Sequence, residues 1–141
     1  MTKFEYDISI VMPIYNAEKY ISESLDSILN QDTKGISYEV LMINDGSTDN
    51  SEKICLKYKS ENKNFKYMYK KNSGVSESRN LGIDTAKGKY ILFLDADDML
   101  TPETLEHIFR LFERFQDEAC ILTYPLNKYV DGEIVEHVRS K

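Results

Sequence analysis

The apolar positions of the chain switch between short continuous runs and helical spacings, and the switches divide it into alternating strands and helices. The run Ile8-Ser9-Ile10-Val11-Met12 predicts a first strand, which stops at Pro13 because proline has no N–H to give an interior ladder. Ile21, Leu25, Ile28 and Leu29 follow at helical spacing, and Asn16 is the predicted N-cap of that helix. Tyr38 to Ile43 predicts a second strand, ending in the polar turn Asn44-Asp45-Gly46-Ser47-Thr48-Asp49. Asp49 and Glu52 have capping-box spacing, opening a helix that buries Ile54, Cys55 and Tyr58. Phe65 to Lys70 alternates as a strand near a sheet edge would, with its aromatics on one face.

Past a loop with Asn72 and Gly74, Ser76 is the predicted cap of a short helix through Ala86, and Gly88 its stop. Tyr90-Ile91-Leu92-Phe93-Leu94 reads as a strand buried on both faces, running directly into Asp95-Ala96-Asp97-Asp98. Thr101-Pro102-Glu103 opens a helix whose apolar stripe is Leu105, Ile108, Phe109, Phe112 and Phe115. A strand over Ala119 to Tyr124 comes next, and then two short runs flanking Asp131-Gly132, a preferred pair for a two-residue hairpin turn.

This order predicts an α/β fold: a single domain of three layers, α/β/α, with a mostly parallel central sheet and an antiparallel hairpin near the C-terminus. In such sheets ligands bind outside the carboxyl ends of the strands. Three polar segments fall there: Pro13 to Asn16, Asn44 to Asp49, and Asp95 to Asp98. Clustered carboxylates at a strand end suit a divalent cation such as Mg²⁺ or Mn²⁺, and period-two alternation lets Asp95 and Asp97 point the same way past the small Ala96. The same residues are also ordinary turn and capping types.

Composition narrows the classes. With 24 acidic against 18 basic residues, a net charge of -6, the chain lacks the basic surface of a general nucleic-acid binder. No apolar stretch is long enough to span a membrane, and the charged start is not a secretory signal, so the expected location is the cytoplasm, with the inner face of the membrane as the alternative for a longer protein. Cys55 and Cys120 read as buried thiols, and His107 and His137 as surface residues. There is no G-x-G-x-x-G after the first strand, no G-x-x-x-x-G-K-[ST] and no G-x-S-x-G, which disfavours dinucleotide oxidoreductases, P-loop enzymes and serine hydrolases.

The residues instead offer a nucleotide site with a metal: Tyr15 to stack on a base, Asp45 to accept from a base N–H, Asp95 to accept from ribose hydroxyls, Asp97 for the ion, and Arg79 for the diphosphate or base edge. Each has a plainer alternative: Tyr15 in the core, Asp45 as a turn former, Arg79 in a surface ion pair.

Together, Val11-Met12-Pro13-Ile14-Tyr15-Asn16, Asn44 to Asp49, Asn72-Ser73-Gly74-Val75-Ser76-Glu77-Ser78-Arg79-Asn80 and Leu94 to Asp98 resemble the family 2 glycosyltransferases. The match covers about residues 8 to 124, with Ser78 where the family more often has Ala and Asn44 where many members have Asp. The resemblance implies the GT-A fold and inverting transfer of a sugar from a nucleotide diphosphate sugar, most often a UDP-sugar, to a saccharide, lipid-linked or protein acceptor. It assigns Pro13, Tyr15, Asn16, Asp45, Arg79, Asp95 and Ala96 to the donor, and Asp97 with Asp95 to Mn²⁺ or Mg²⁺, Asp98 giving local support. The family's general base lies well beyond the metal motif, so the expectation is a donor-binding part whose base is beyond Lys141. The alternatives are a non-catalytic nucleotide-binding fragment and a haloacid dehalogenase-like phosphatase using Asp95 and Asp97, although Met99 stands where that family has Thr or Val.

Overall fold

The computed structural model describes residues 3–115, 126–130 and 133–138, and the chain divides into two compact units, Met1–Leu111 and Phe112–Lys141. In the first unit the elements alternate as β1 (Tyr6–Ile14), α1 (Ile21–Leu29), β2 (Tyr38–Asp45), α2 (Ser51–Glu61), β3 (Phe65–Lys70), α3 (Val75–Thr85) and β4 (Gly88–Phe93), before α4 (Thr104–Arg114). The four strands form one parallel sheet in the order β3-β2-β1-β4. In the second unit β5 (Leu126–Val130) pairs antiparallel with β6 (Glu133–Val138). The expected strand from Ala119 to Tyr124, the Asp131-Gly132 turn and Cys120 lie outside the described residues.

Strand parity sorts the core into two faces. Val11, Leu41 and Ile43 are fully buried on one face, packed with Met68 and Ile91 against Leu81 and Ala86 at α3. Ile8, Ile10, Met12, Val40 and Met42, equally buried, point the other way. There Phe65 stacks on Tyr58 of α2, at 6.3 Å between ring centroids, and the Tyr58 hydroxyl donates to Asp26 of α1 at 2.6 Å. Helices therefore cover both faces of the sheet. Gly82 is what lets α3 lie so close, since a Cβ there would meet Val11 Cγ1 at 2.3 Å.

Several boundaries differ from the sequence expectation. β1 does not stop at Pro13 but runs to Ile14. Leu94 N–H donates to Val11 O at 3.0 Å, the last bond from the β4 side. Pro13, two residues on, turns its missing N–H to that same side after β4 has ended, so no ladder bond is lost. Asn16 caps no helix: α1 begins at Ile21 with Tyr20 in the N-cap position, and Asn16 sits at φ 47°, a conformation asparagine tolerates. α2 opens at Ser51 without the Asp49–Glu52 capping box. Gly74, not Ser76, precedes α3, and Gly88 is the first residue of β4, where it passes close against Ser9. α4 starts at Thr104, three residues after the predicted signal, because the Thr101 carbonyl and hydroxyl are taken by Thr104 in a preceding turn. Among the described residues β4 is a sheet edge, and Phe93 is 39% exposed, so the strand is not buried on both faces.

Candidate functional site

The carboxyl ends of β1, β2 and β4 surround an open cleft of about 460 Å³. Pro13, Tyr15 and Asn16 line it from the end of β1, Asp45 from the end of β2, Arg79 from α3, and Asp95, Ala96 and Asp97 from the segment after β4. Every residue singled out in the sequence as donor- or metal-binding is in this one cleft. Tyr15 is 54% exposed, which excludes the core alternative and leaves its ring free to stack.

The two loops that form one wall are laced together. Asn16 Oδ1 accepts from Thr48 N–H at 2.8 Å, and Asn16 N–H donates to Ser47 Oγ at 3.0 Å. Ala17 N–H donates to Ser51 Oγ at 2.9 Å and Glu18 N–H to Asp49 Oδ2 at 3.1 Å. Asp49 also accepts from Ser51 N–H, the first donor of α2, while Glu18 reaches across from the neighbouring loop to accept from Asn50 N–H, and Glu52 plays no capping part. Burial opposes charge on Asp49, but these hydrogen bonds outweigh it and hold its carboxyl below the ordinary value. Asn44, one of the two departures from the family pattern, is fully buried: its amide donates to Tyr67 Oη at 3.0 Å and its carbonyl oxygen accepts from Ser47 N–H at 2.9 Å. Ser78, the other, is buried with its hydroxyl donating to Gly74 O at 3.3 Å.

Asp45 is 5% exposed and heavily engaged. Its Oδ1 accepts from Lys70 Nζ and, at 2.9 Å, from Ser73 N–H, and its Oδ2 accepts from Gly74 N–H at 3.1 Å. Burial disfavours its charge, but Lys70 and the two backbone donors prevail and keep the carboxyl below its ordinary value. Asp45 is thus a charged, acceptor-only group at the cleft wall. Gly46 beside it has φ 74°, and a Cβ there would meet Asn72 N at 2.8 Å, so this turn and the 72–74 loop can approach only through glycine.

On the opposite wall Phe93 and Asp95 meet Arg79 of α3, Leu94 and Ala96 are buried, and Asp97 follows exposed in the turn after β4. Arg79 extends over the Phe93 ring at 5.9 Å and reaches Asp95 Oδ1 at 3.3 Å, while its Nε has no hydrogen-bond partner. Asp95, Asp97 and Asp98, all exposed, bring one oxygen each within 4.8 Å of one another. Burial, and then the charges of Asp97 and Asp95, push the Asp98 carboxyl above its ordinary value. An all-oxygen set held against its own repulsion fits a hard divalent cation. The segment that follows is tied to α1: Leu100 N–H donates to Ser27 Oγ at 3.0 Å, and Gln31 bonds both Thr101 O and Leu105 N–H.

The sequence reading missed Lys70, Ser73, Glu18 and the cleft-lining Tyr20. Only Lys70 had a signal, a cation closing an edge strand next to one that ends in Asp45; the other three act through loop paths that periodicity does not report. Cys55 is buried as expected, its thiol pushed up to about 12 by burial, and His107 is exposed.

The sequence matches the family described as Glycosyl transferase family 2 over residues 9–140. It is 39% identical over 135 residues to the minor teichoic acid biosynthesis protein GgaB of Bacillus subtilis, covering 95% of this chain and 15% of that protein. It is 37% identical over 128 residues to the chondroitin synthase of Pasteurella multocida, covering 91% of this chain and 13% of that protein. The chain therefore spans about one seventh of the length of these relatives. The crystal structure of S. aureus TarS 1–349 in complex with UDP-GlcNAc superimposes with a TM-score of 0.70 at 34% identity, over 78% of this chain and 32% of that one. These likenesses leave the phosphatase alternative without support. The motif residues gathered in one cleft, the sequence match and the shared fold agree: the chain belongs to glycosyltransferase family 2.

Proposed function

We propose that residues 1–141 form a donor-binding domain that holds a nucleotide diphosphate sugar, a UDP-sugar in the first instance, for inverting transfer to an acceptor hydroxyl. The observation that carries this reading is the convergence of Tyr15, Asp45, Arg79, Asp95 and Asp97 on one cleft. Support comes from the TarS crystal structures in complex with UDP and with UDP-GlcNAc. In this reading Tyr15 stacks on the base against Pro13, Asp45 accepts from a base N–H with the Oδ2 position left free by Gly74, and Asn16 with Ala96 shapes the walls. Asp95 takes the ribose hydroxyls. Arg79, with its unpartnered Nε, meets the diphosphate or the base edge.

Asp97 and Asp95 would hold Mn²⁺ or Mg²⁺, with Asp98 in support, and the ion's contribution is to stabilise charge developing on the leaving diphosphate. The base that takes the acceptor's proton is assigned to no described residue. Among the described residues no helix is long and apolar enough to cross a membrane, and we place the domain in the cytoplasm, where nucleotide sugars serve as donors to saccharide, lipid-linked or protein acceptors.

Calorimetric titration with UDP, GDP, CDP and dTDP, each with and without Mn²⁺, tests the proposal. Mn²⁺-dependent binding of UDP is expected; no metal-dependent binding of any of the four would overturn it. Asp97→Ala should abolish the Mn²⁺ dependence, whereas Asp45→Ala should weaken UDP and keep it.

A further inference from the structure

Asp45 and Lys70 are register partners at the last rung of the β2–β3 ladder. Lys70 closes an edge strand, yet its side chain is only 15% exposed, because it lies back over the strand end and not out into water. Its Nζ donates to Asp45 Oδ1 and to Ser73 Oγ. Ser73 N–H and Gly74 N–H close on the same carboxylate, at 2.9 and 3.1 Å. A carboxylate oxygen offers two lone pairs in its plane. Oδ1 has both engaged by Lys70 and Ser73, and Oδ2 has one engaged by Gly74, which leaves a single acceptor direction. Gly74, at φ 106°, is also the residue from which α3 starts, five positions before Arg79.

We propose that Lys70 is a positioning residue for nucleobase recognition: by clamping Asp45 Oδ1 and Ser73 together it directs the one free acceptor of Asp45 at the base. The inference rests on the donor-binding reading above. Lys70 itself does not line the cleft, so it acts through Asp45 and not on the ligand. Other charged groups facing Asp45 across the cleft, Arg79, Asp95 and Asp97, stand on α3 and after β4, where inorganic diphosphate with a metal would engage them without a base. Loss of Lys70 removes a charge-assisted bond from a nearly buried carboxylate and frees the loop that the bond holds.

The test compares two probes on the 141-residue chain, UDP and inorganic diphosphate, both with Mn²⁺. Lys70→Met is expected to weaken UDP about tenfold or more while inorganic diphosphate binds as in the wild type, and Lys70→Arg, which restores the cation, should recover most of the UDP affinity. Ser73→Ala, at an exposed side chain, should weaken UDP several-fold in the same selective way. Wild-type UDP affinity in Lys70→Met, or an equal loss for both probes, overturns the positioning role. Should Lys70→Met fail to fold, unchanged UDP affinity in Ser73→Ala overturns it alone. A wild-type chain that binds no nucleoside diphosphate would instead overturn the reading on which the inference rests.

Discussion

Glu39 shows how a single buried carboxylate fastens the end of the sheet opposite the cleft. It is fully buried on β2, where Oε1 accepts from Ser9 Oγ at 2.7 Å and from Lys87 N–H at 2.8 Å, and Oε2 accepts from Lys66 Nζ at 2.8 Å. Burial works against its charge, but Lys66, the Lys87 N–H and Ser9 outweigh burial and hold the carboxyl below its ordinary value. A depressed folded-state value means that the contribution is complete above the ordinary carboxylate range and is lost as pH falls through the depressed value. Glu39→Gln should lower stability at pH 7 by about 1–3 kcal/mol and flatten the acid limb of the stability curve. Urea denaturation at pH 7 and across the acid range measures both effects, and parallel acid limbs in the two proteins would rule the linkage out. None of this was legible at the residue scale in the sequence, where Glu39 reads as a polar interruption of an apolar strand. The cleft residues were legible, because Pro13, Tyr15, Asp45, Arg79 and Asp95 to Asp97 stand at strand ends or in motifs that survive without knowledge of contacts.

At the scale of elements the strand and helix types follow from period, whereas the starts of the helices follow from loop contacts. Asn16 and Asp49 are both good capping residues by type. The structure uses Asn16, and one oxygen of Asp49, for bonds between the β1 and β2 loops, since those loops lie side by side at neighbouring strand ends and leave backbone donors to satisfy; the other oxygen of Asp49 takes Ser51 N–H. The contact of α3 with the sheet is equally a matter of proximity. Gly82→Ala sets two magnitudes against each other: alanine favours a helix interior by about 1 kcal/mol, and overpacking a core costs about 1–3 kcal/mol. The overpacking wins here, because the new methyl would meet fully buried Val11 at 2.3 Å and Ile43 at 3.1 Å. Net destabilisation with a lower Tm is expected in thermal unfolding, and a raised Tm would show that Val11 can turn aside.

Across the whole molecule the net charge of -6 is expressed most sharply where a polyanion is proposed to bind. With Asp45 neutralised by Lys70, the cleft still presents Asp95 and Asp97, and next to them Asp98, against one cation among the described residues that line it, Arg79. A nucleoside diphosphate should therefore be repelled until a divalent ion reverses the local sign. Salt screens such fields over a Debye length of about 10 Å at 0.1 M ionic strength. Without Mn²⁺, raising NaCl from low to moderate concentration should leave residual UDP binding unchanged or strengthen it; with Mn²⁺ it should weaken binding. Titrations at two salt concentrations distinguish these outcomes, and weakening in both arms would mean that Arg79 and not the ion dominates the electrostatics.

The sequence by itself determined the α/β alternation, the parallel sheet and which residues stand at the strand ends, because periodicity and turn chemistry are local properties of the chain. Only the tertiary structure decided the strand order among the described residues, the true helix starts and the Lys70–Asp45–Ser73 clamp. These depend on which backbone donors and which charges are brought within bonding distance, and residues such as Glu18 and Asn50, or Asp45 and Lys70, meet only once the sheet has formed.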